Sequence, residues 1–184
     1  MKIYLLFFLV LLLFSCKDGE NKIDNTTTIS HVQEELNIEK EWMKKPLVFP
    51  DSIFSILQKD LSLKDYRKKS NTSDYTFVSF IDYSCNLCVD MDNLNAYFNK
   101  HDIFNNTNIV LITSGDKKPM IDYHLYDVAK FKYDVFYDEK NDFFTKNSLH
   151  SDKKYHSFLL KGDEVVSVGF EAIAKKIGKI LNEG

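Results

Sequence analysis

The chain opens with fifteen almost entirely apolar residues, and a tract rich in Asn, Thr, Asp and Lys follows them. The apolar run from Ile3 to Phe14 has the length of the hydrophobic region of a secretory signal, and it is too short to cross a bilayer as a stable helix. The sequence therefore predicts an export signal over residues 1–15. Residues 16–30 offer little to bury, which indicates a flexible tether.

The polar tether gives way to patterns that predict two helices and a short strand. A helix from Ser30 to about Lys45 is expected, because Ser30 and Gln33 fit a capping box and apolar residues recur at helical spacing. The apolar triplet Leu47–Phe49, enclosed by two prolines, predicts a strand. Apolar residues spaced from Ile53 to about Tyr66 predict a second helix.

Strands and helices alternate in the rest of the chain. The run Tyr75–Ile81 is β-branched and aromatic, which is typical of a strand buried on both faces, and a helix with Leu94 and Phe98 on its apolar face follows. The later predicted elements are a strand at Ile109–Ile112, a helix striped by Ile121, Leu125 and Val128, a strand at Val135–Tyr137, a hairpin of Ser157–Leu160 with Glu164–Val168, and a helix buried through Ile173, Ile177 and Ile180/Leu181.

Composition narrows the class of protein. The 184 residues predict one domain, and 25 Phe and Tyr residues supply a sizeable core. The formal net charge is −3, and the basic residues are interspersed with acidic ones instead of forming a stripe, so nucleic acid is not an expected partner. The acidic residues at 134, 138, 139 and 142 lack the alternation of a calcium loop and are interpreted as a solvated turn.

The three cysteines are the residues that carry chemistry. Cys85 and Cys88 follow the strand ending at Ile81 and lie where a helix is predicted to begin. Cysteines three positions apart share a helix face, and unpaired N–H groups at a helix N-terminus stabilise a thiolate. Cys85 can then attack a disulfide and Cys88 can resolve the mixed disulfide. A static bridge and a metal site remain open alternatives.

The remaining cysteine ends the export signal. Ser15-Cys16 after the apolar run resembles the lipobox of bacterial lipoproteins, in which the cysteine is lipidated and becomes the new N-terminus. The resemblance implies a lipid anchor on Cys16 in the bacterial cell envelope. The short Lys-acidic stretch 17–20 resembles signals for the outer membrane, so we expect the protein there, facing the periplasm or the cell surface.

A strand that leads into Cys85-x-x-Cys88 at a helix start, with a terminal hairpin and helix, resembles the thioredoxin fold and envelope TlpA-like thiol-disulfide oxidoreductases. The resemblance implies an α/β fold, a three-layer α/β/α domain with a central mixed sheet and a helical N-terminal addition, spanning residues 31–184. It implies thiol-disulfide exchange on protein or small-molecule disulfides, with electrons from a membrane reductant. No cofactor is expected.

Two positions depart from the family pattern. His156 stands where the family has a cis proline, in the expected substrate-docking loop Tyr155, His156 and Ser157. A cis bond before a residue other than proline costs about 2.5–4 kcal/mol, so we expect a trans or strained loop. Ser79 stands where thioredoxins have a buried acid, and a hydroxyl is no base near neutral pH.

The charges around the motif also differ. Asp82, Asp90 and Asp92 flank the cysteines, and no Lys or Arg occurs from Tyr75 through Asn99. Carboxylates oppose a thiolate, and low thiolate stability favours the disulfide, so the sequence predicts a reducing couple.

Two further interpretations of the same residues remain open. One is a non-catalytic scaffold lipoprotein with a fixed disulfide. The other is a metal site, because Cys85, Cys88 and His156 would suit copper(I) or zinc and resemble the ligands of the copper-delivery branch of the fold.

Overall fold

One mixed sheet forms the centre of the molecule. The computed structural model describes residues 25–69, 73–82, 93–96, 98–99 and 107–182. Within them, six strands lie in the order β1-β4-β3-β2-β5-β6. These are β1 (Phe54–Ser55), β2 (Tyr75–Asp82), β3 (Asn108–Ser114), β4 (Val135–Tyr137), β5 (Ser157–Lys161) and β6 (Glu164–Val168). β2, β3 and β4 are parallel, and the other neighbouring pairs are antiparallel.

Helices cover both faces of this sheet. The described part of the chain contains α1 (Asn25–Trp42), whose residues Ile38 and Trp42 enter the core, α2 (Leu63–Lys69), α3 (Lys118–Asp122), a π-helical segment that continues it (Tyr123–Val128), α4 (Asp142–Lys146), a 3-10 turn (Lys153–Tyr155) and α5 (Phe170–Asn182). Two separate apolar clusters, one on each face, hold the layers together. The predicted α/β architecture with a central mixed sheet is therefore confirmed.

β2 lies at the centre because its residues are apolar on both faces. Val78 and Phe80 enter one core cluster, while Phe77 and Ile81 enter the other. This matches the period of two along a strand, in which successive side chains point to opposite faces. The predicted strand extends by one residue, to Asp82, where the side chain becomes exposed.

The first helix differs from its prediction at both ends. α1 begins at Asn25, five residues before the predicted Ser30, and ends at Trp42 instead of Lys45. Lys44 adopts a left-handed φ of 64°, which stops a helix, and its N–H donates to the carbonyl of Val165 in β6.

The predicted strand at Leu47–Phe49 is wrong. Only Pro46 forms an isolated bridge, to Glu164, and the backbone of Val48 pairs with a side chain instead of a strand. The amide of Asn147 accepts from the Val48 N–H at 2.8 Å and donates to the Val48 carbonyl at 2.9 Å. The partner of Val48 is a single side chain 99 positions away, so no local pattern of residues in the sequence indicates this pairing.

The predicted helix from Ile53 to Tyr66 is also wrong in its first half. Ile53 and Ile56 are both buried, but they enter opposite core clusters, as residues flanking a strand can do and residues on one helix stripe cannot. The segment forms β1 against β4, and the helix begins only at Leu63.

The stripe predicted for the helix after Pro119 holds only in part. Ile121 and Leu125 are fully buried, whereas Val128 is 49% exposed. The N–H of Ala129 donates to the carbonyl of His124, five residues back, so the π-helical turn delays the inward face by one residue. Ala129 packs against the core in place of Val128.

Candidate functional site

The carboxyl end of β2 is where the candidate site begins. Asp82 ends the strand, and Cys85 and Cys88 follow it within six residues. Residues 83–92, which include Cys85 and Cys88, lie outside the described residues, as do Cys16 and the leader 1–15. Helical structure is present from Asn93, downstream of the motif.

The predicted docking loop does lie beside the end of β2. The N–H of Phe80 donates to the carbonyl of His156 at 2.9 Å, and the hydroxyls of Ser79 and Ser157 are 3.0 Å apart. Tyr155, His156 and Ser157 are only 5%, 4% and 7% exposed. Their side chains are therefore directed into the protein, and a docking role would rest on the backbone of this loop and on its exposed neighbours.

The loop reaches this position with ordinary backbone geometry. Among the described residues all peptide bonds are trans, as predicted for a loop that has His156 in place of proline. His156 has a φ of −85° and a ψ of 6°, so the right-handed turn that ends in it carries it to the start of β5.

The imidazole of His156 is held in one orientation. Its Nε2 lies 2.6 Å from the carbonyl of His150, which can only accept, so Nε2 carries the proton. The rings of Phe80 and Phe144 contact it edge-on. Burial lowers the pKa of His156 from its ordinary 6.5, and its Nδ1 is buried with no hydrogen-bond partner in the described part of the chain.

A lysine that the sequence prediction missed stands beside the site. Lys153 Nζ lies 3.6 Å from Asp82 Oδ2, although no cation occurs near Asp82 along the sequence. The antiparallel pairing of β2 and β5 brings the two together, because the loop preceding β5 lies beside the end of β2. One of the carboxylates expected to oppose a thiolate is thus partly neutralised.

A cleft of about 400 Å³ opens next to this ion pair. Apolar side chains from three elements line it together with polar groups of the loop. The residues are Ser79, Phe80, Ile81, Asp82, Asn93, Leu94, Lys153, Lys154 and Phe170. The two adjacent lysines Lys153 and Lys154, just before the docking loop, were the sequence feature that could have indicated the edge of this cleft. No local sequence pattern indicated that Phe170 would line it.

The acidic segment after β4 forms the predicted exposed turn at Glu139, but the prediction is wrong for Asp138. Asp138 is fully buried, and its Oδ2 accepts from the N–H of Phe143 at the start of α4. The other oxygen, Oδ1, has no hydrogen-bond partner among the described residues. The carboxylate satisfies a free N–H of the helix, so Asp138 has a structural role.

The described part of the chain has neither a cluster of metal ligands nor a helix that could cross a membrane. No group of three or more His, Cys, Asp or Glu side chains there could hold a metal ion. No helix in that part has the length and apolar character that a bilayer crossing requires.

Solved structures of proteins from several bacteria have a similar fold. The chain is similar to the thioredoxin domain of a thiol-disulfide oxidoreductase from Bacteroides vulgatus, with 11% identity and a TM-score of 0.55 over 75% of this chain and 96% of that one. A thioredoxin-like protein from Porphyromonas gingivalis is 17% identical, with a TM-score of 0.53 over 76% of this chain and 95% of that one. StoA from Bacillus subtilis is 15% identical, with a TM-score of 0.50 over 72% of this chain and 98% of that one. Neither a family model nor a curated protein matches.

Proposed function

Because this chain has a thioredoxin-like fold, we propose that it exchanges thiols and disulfides through Cys85 and Cys88. The observation that carries the proposal is the position of the motif in the chain. In the sequence it starts three residues after the central parallel strand β2 ends at Asp82, and the His156 loop lies beside that end of β2. Solved structures of the same fold include proteins described as thiol-disulfide oxidoreductases.

The reaction balances without an organic cofactor. The Cys85 thiol releases its proton, and the thiolate attacks a substrate disulfide, forming a mixed disulfide and releasing one substrate thiolate. The Cys88 thiolate then attacks Cys85, which releases the second substrate thiolate and leaves a Cys85–Cys88 disulfide. Two electrons pass to the substrate, which is an envelope protein or a small-molecule disulfide. A membrane reductant restores the dithiol.

Redox titration of the full chain tests the proposal. The Cys16→Ser variant leaves Cys85 and Cys88 as the remaining cysteines, so alkylation after equilibration with dithiothreitol reports on this pair alone. We expect reversible cycling, with a potential nearer the about −270 mV of thioredoxin than the about −120 mV of strong periplasmic oxidants.

Single-cysteine variants assign the two roles. In the Cys16→Ser background, Cys88→Ser should accumulate a mixed disulfide with a model disulfide, because nothing resolves it. Cys85→Ser should accumulate far less. A bridge that resists reduction until the protein unfolds would contradict exchange and favour the fixed-disulfide scaffold.

We also propose that a lipid on Cys16 holds the domain at the bacterial outer membrane. Acyl chains contribute about 0.8 kcal/mol per buried methylene, which makes multiple acylation an effectively permanent anchor. Metabolic labelling with a palmitate analogue should mark the wild-type chain and not Cys16→Ser. Equal labelling of both, or recovery of the wild type in the soluble fraction, would contradict the anchor.

A second candidate function, copper(I) binding by Cys85, Cys88 and His156, is favoured by the histidine. A metal-binding imidazole usually donates its other N–H to a carbonyl or carboxylate, as His156 Nε2 does to His150, while its Nδ1 has no hydrogen-bond partner among the described residues. Two thiolates and an imidazole suit a soft cation. Competition with a chromogenic copper(I) chelator tests this. His156→Ala should weaken binding and His124→Ala should not; equal affinities would contradict it.

A further inference from the structure

A second cavity lies at the opposite end of the sheet from the candidate redox site. Its volume is about 670 Å³, within the usual range for small-molecule sites. Its floor contains Thr76 and Asn108, near the amino ends of β2 and β3. The segment 46–51, helix α2 and the turn between β5 and β6 form its walls.

The aromatic part of the wall is fixed to the core. Phe49 packs on Phe143 with ring centroids 5.6 Å apart. Tyr66 packs on Phe136 at 5.0 Å, and its hydroxyl donates to the carbonyl of Ile109 at 3.0 Å. The apolar surface that a ligand would contact is therefore already in place, which lowers the entropic cost of binding.

Arg67 is the cation that this wall holds in position. Its guanidinium carbon lies 4.0 Å from the centre of the Phe49 ring, and only 27% of its side chain is exposed. Its Nη2 donates to Asp163 Oδ1 at 2.7 Å. The hairpin turn thus already presents a carboxylate to the guanidinium, which is the group that the planar fork of arginine recognises best.

The charges around the cavity favour an incoming anion. Three cations, Lys64, Arg67 and Lys68, line it against the two acids Asp51 and Asp163. Both acids are on exposed segments, with side chains 84% and 83% accessible. Exposed ion pairs contribute little free energy, so a ligand carboxylate with an apolar body can replace Asp163.

We propose that this cavity binds a small organic carboxylate. The carboxylate takes the place of Asp163 on Arg67, and the apolar body lies against Phe49 and Tyr66. Asp163 is then an internal competitor that holds the guanidinium when the ligand is absent. The site contains neither cysteine, so it does not depend on the proposed thiol chemistry.

Ligand-observed NMR and calorimetry on the full chain test the proposal with three probes. They are 3-phenylpropanoate, its uncharged amide and phenyl phosphate. We expect the carboxylate to bind, the amide not to bind, and the phosphate to bind no more tightly than the carboxylate. Asp163→Asn should tighten carboxylate binding by up to about fivefold, the size of an exposed ion pair.

Variants of the cation and a matched control complete the test. Arg67→Gln should abolish binding, Arg67→Lys should weaken it, and Lys179→Gln on α5 should leave it unchanged. The Cys85→Ser variant should bind as the wild type does. Equal binding of acid and amide, tighter binding of the phosphate, no binding even to Asp163→Asn, or normal binding to a folded Arg67→Gln or Arg67→Lys would overturn the proposal.

Discussion

Single polar side chains decide several features of this protein that its apolar pattern leaves open. Asn147, which is 8% exposed, satisfies both backbone groups of Val48 and also donates to the carbonyl of Phe143 at 2.8 Å. Asp138 satisfies the start of α4, and His156 fixes its own orientation on His150. Each of these groups is buried, so removing it leaves a backbone N–H or carbonyl without that partner.

Replacing Asn147 tests how much such a side chain contributes. Asn147→Ala removes three hydrogen bonds and leaves the N–H and carbonyl of Val48 unpaired, so we expect a loss of about 2–4 kcal/mol in the free energy of unfolding. Asn147→Asp keeps the acceptor for the Val48 N–H but sets a carboxylate oxygen against the carbonyls of Val48 and Phe143, so it should lose at least as much. Urea unfolding of both variants measures this. A clearly smaller loss for Asn147→Asp would show that the donated bonds contribute little.

The buried imidazole of His156 makes stability depend on pH. Because burial lowers its pKa in the folded state, the unfolded state binds a proton first as the pH falls below 6.5. The free energy of unfolding should therefore decrease below that pH. Comparing unfolding at pH 7 and pH 5 should give a smaller decrease for His156→Gln than for the wild type or His124→Gln. An unchanged pH dependence in His156→Gln would refute this.

At the scale of elements, turns and helix ends depend on backbone conformation more than on burial. The hairpin of β5 and β6 turns through Gly162, which has a φ of +60° and open space around the position of a Cβ. This confirms the turn predicted between the two strands. No neighbouring atom would block a Cβ at this position. Any other residue would still be strained there, because its backbone would have to adopt a left-handed conformation.

Two glycines separate the effect of backbone conformation from that of space. Gly162→Ala should destabilise the protein by about 1–2 kcal/mol, because a left-handed residue pays this cost when it has a Cβ. Gly178 also has open space but lies within helix α5, so Gly178→Ala should stabilise by about 0.5–1 kcal/mol. Thermal unfolding of both checks the prediction, and shifts of the same sign would contradict it.

At the scale of the whole molecule, the two proposed sites use opposite ends of one sheet. The parallel strands β2, β3 and β4 end at the edge from which the chain continues to Cys85, and the Arg67 cavity lies near their amino ends. Acidic residues flank the cysteines in the sequence, and the structure adds Lys153 beside Asp82. A single neutralised carboxylate leaves Asp90 and Asp92 in the flanking sequence, so the prediction of a reducing couple stands.

A reducing couple implies that the oxidised protein is the more stable form, because redox and folding equilibria are linked in one thermodynamic cycle. In the Cys16→Ser background we expect a higher melting temperature without dithiothreitol than with it. The triple variant that also carries Cys85→Ser and Cys88→Ser should show no difference. A reduced form that melts higher would place the protein with strong oxidants.

The sequence by itself determined the alternation of strands and helices and the position of the cysteine motif, since the period of apolar residues along β2, β3 and α5 is local information. The prediction failed at β1, whose partner is the distant strand β4, and at Val48, whose partner is the distant side chain of Asn147. Tertiary structure alone brought Lys153 to Asp82, buried the His156 loop and closed the cavity around Arg67. These pairings join residues about seventy to a hundred positions apart, and the chain acquires them only when its sheet forms.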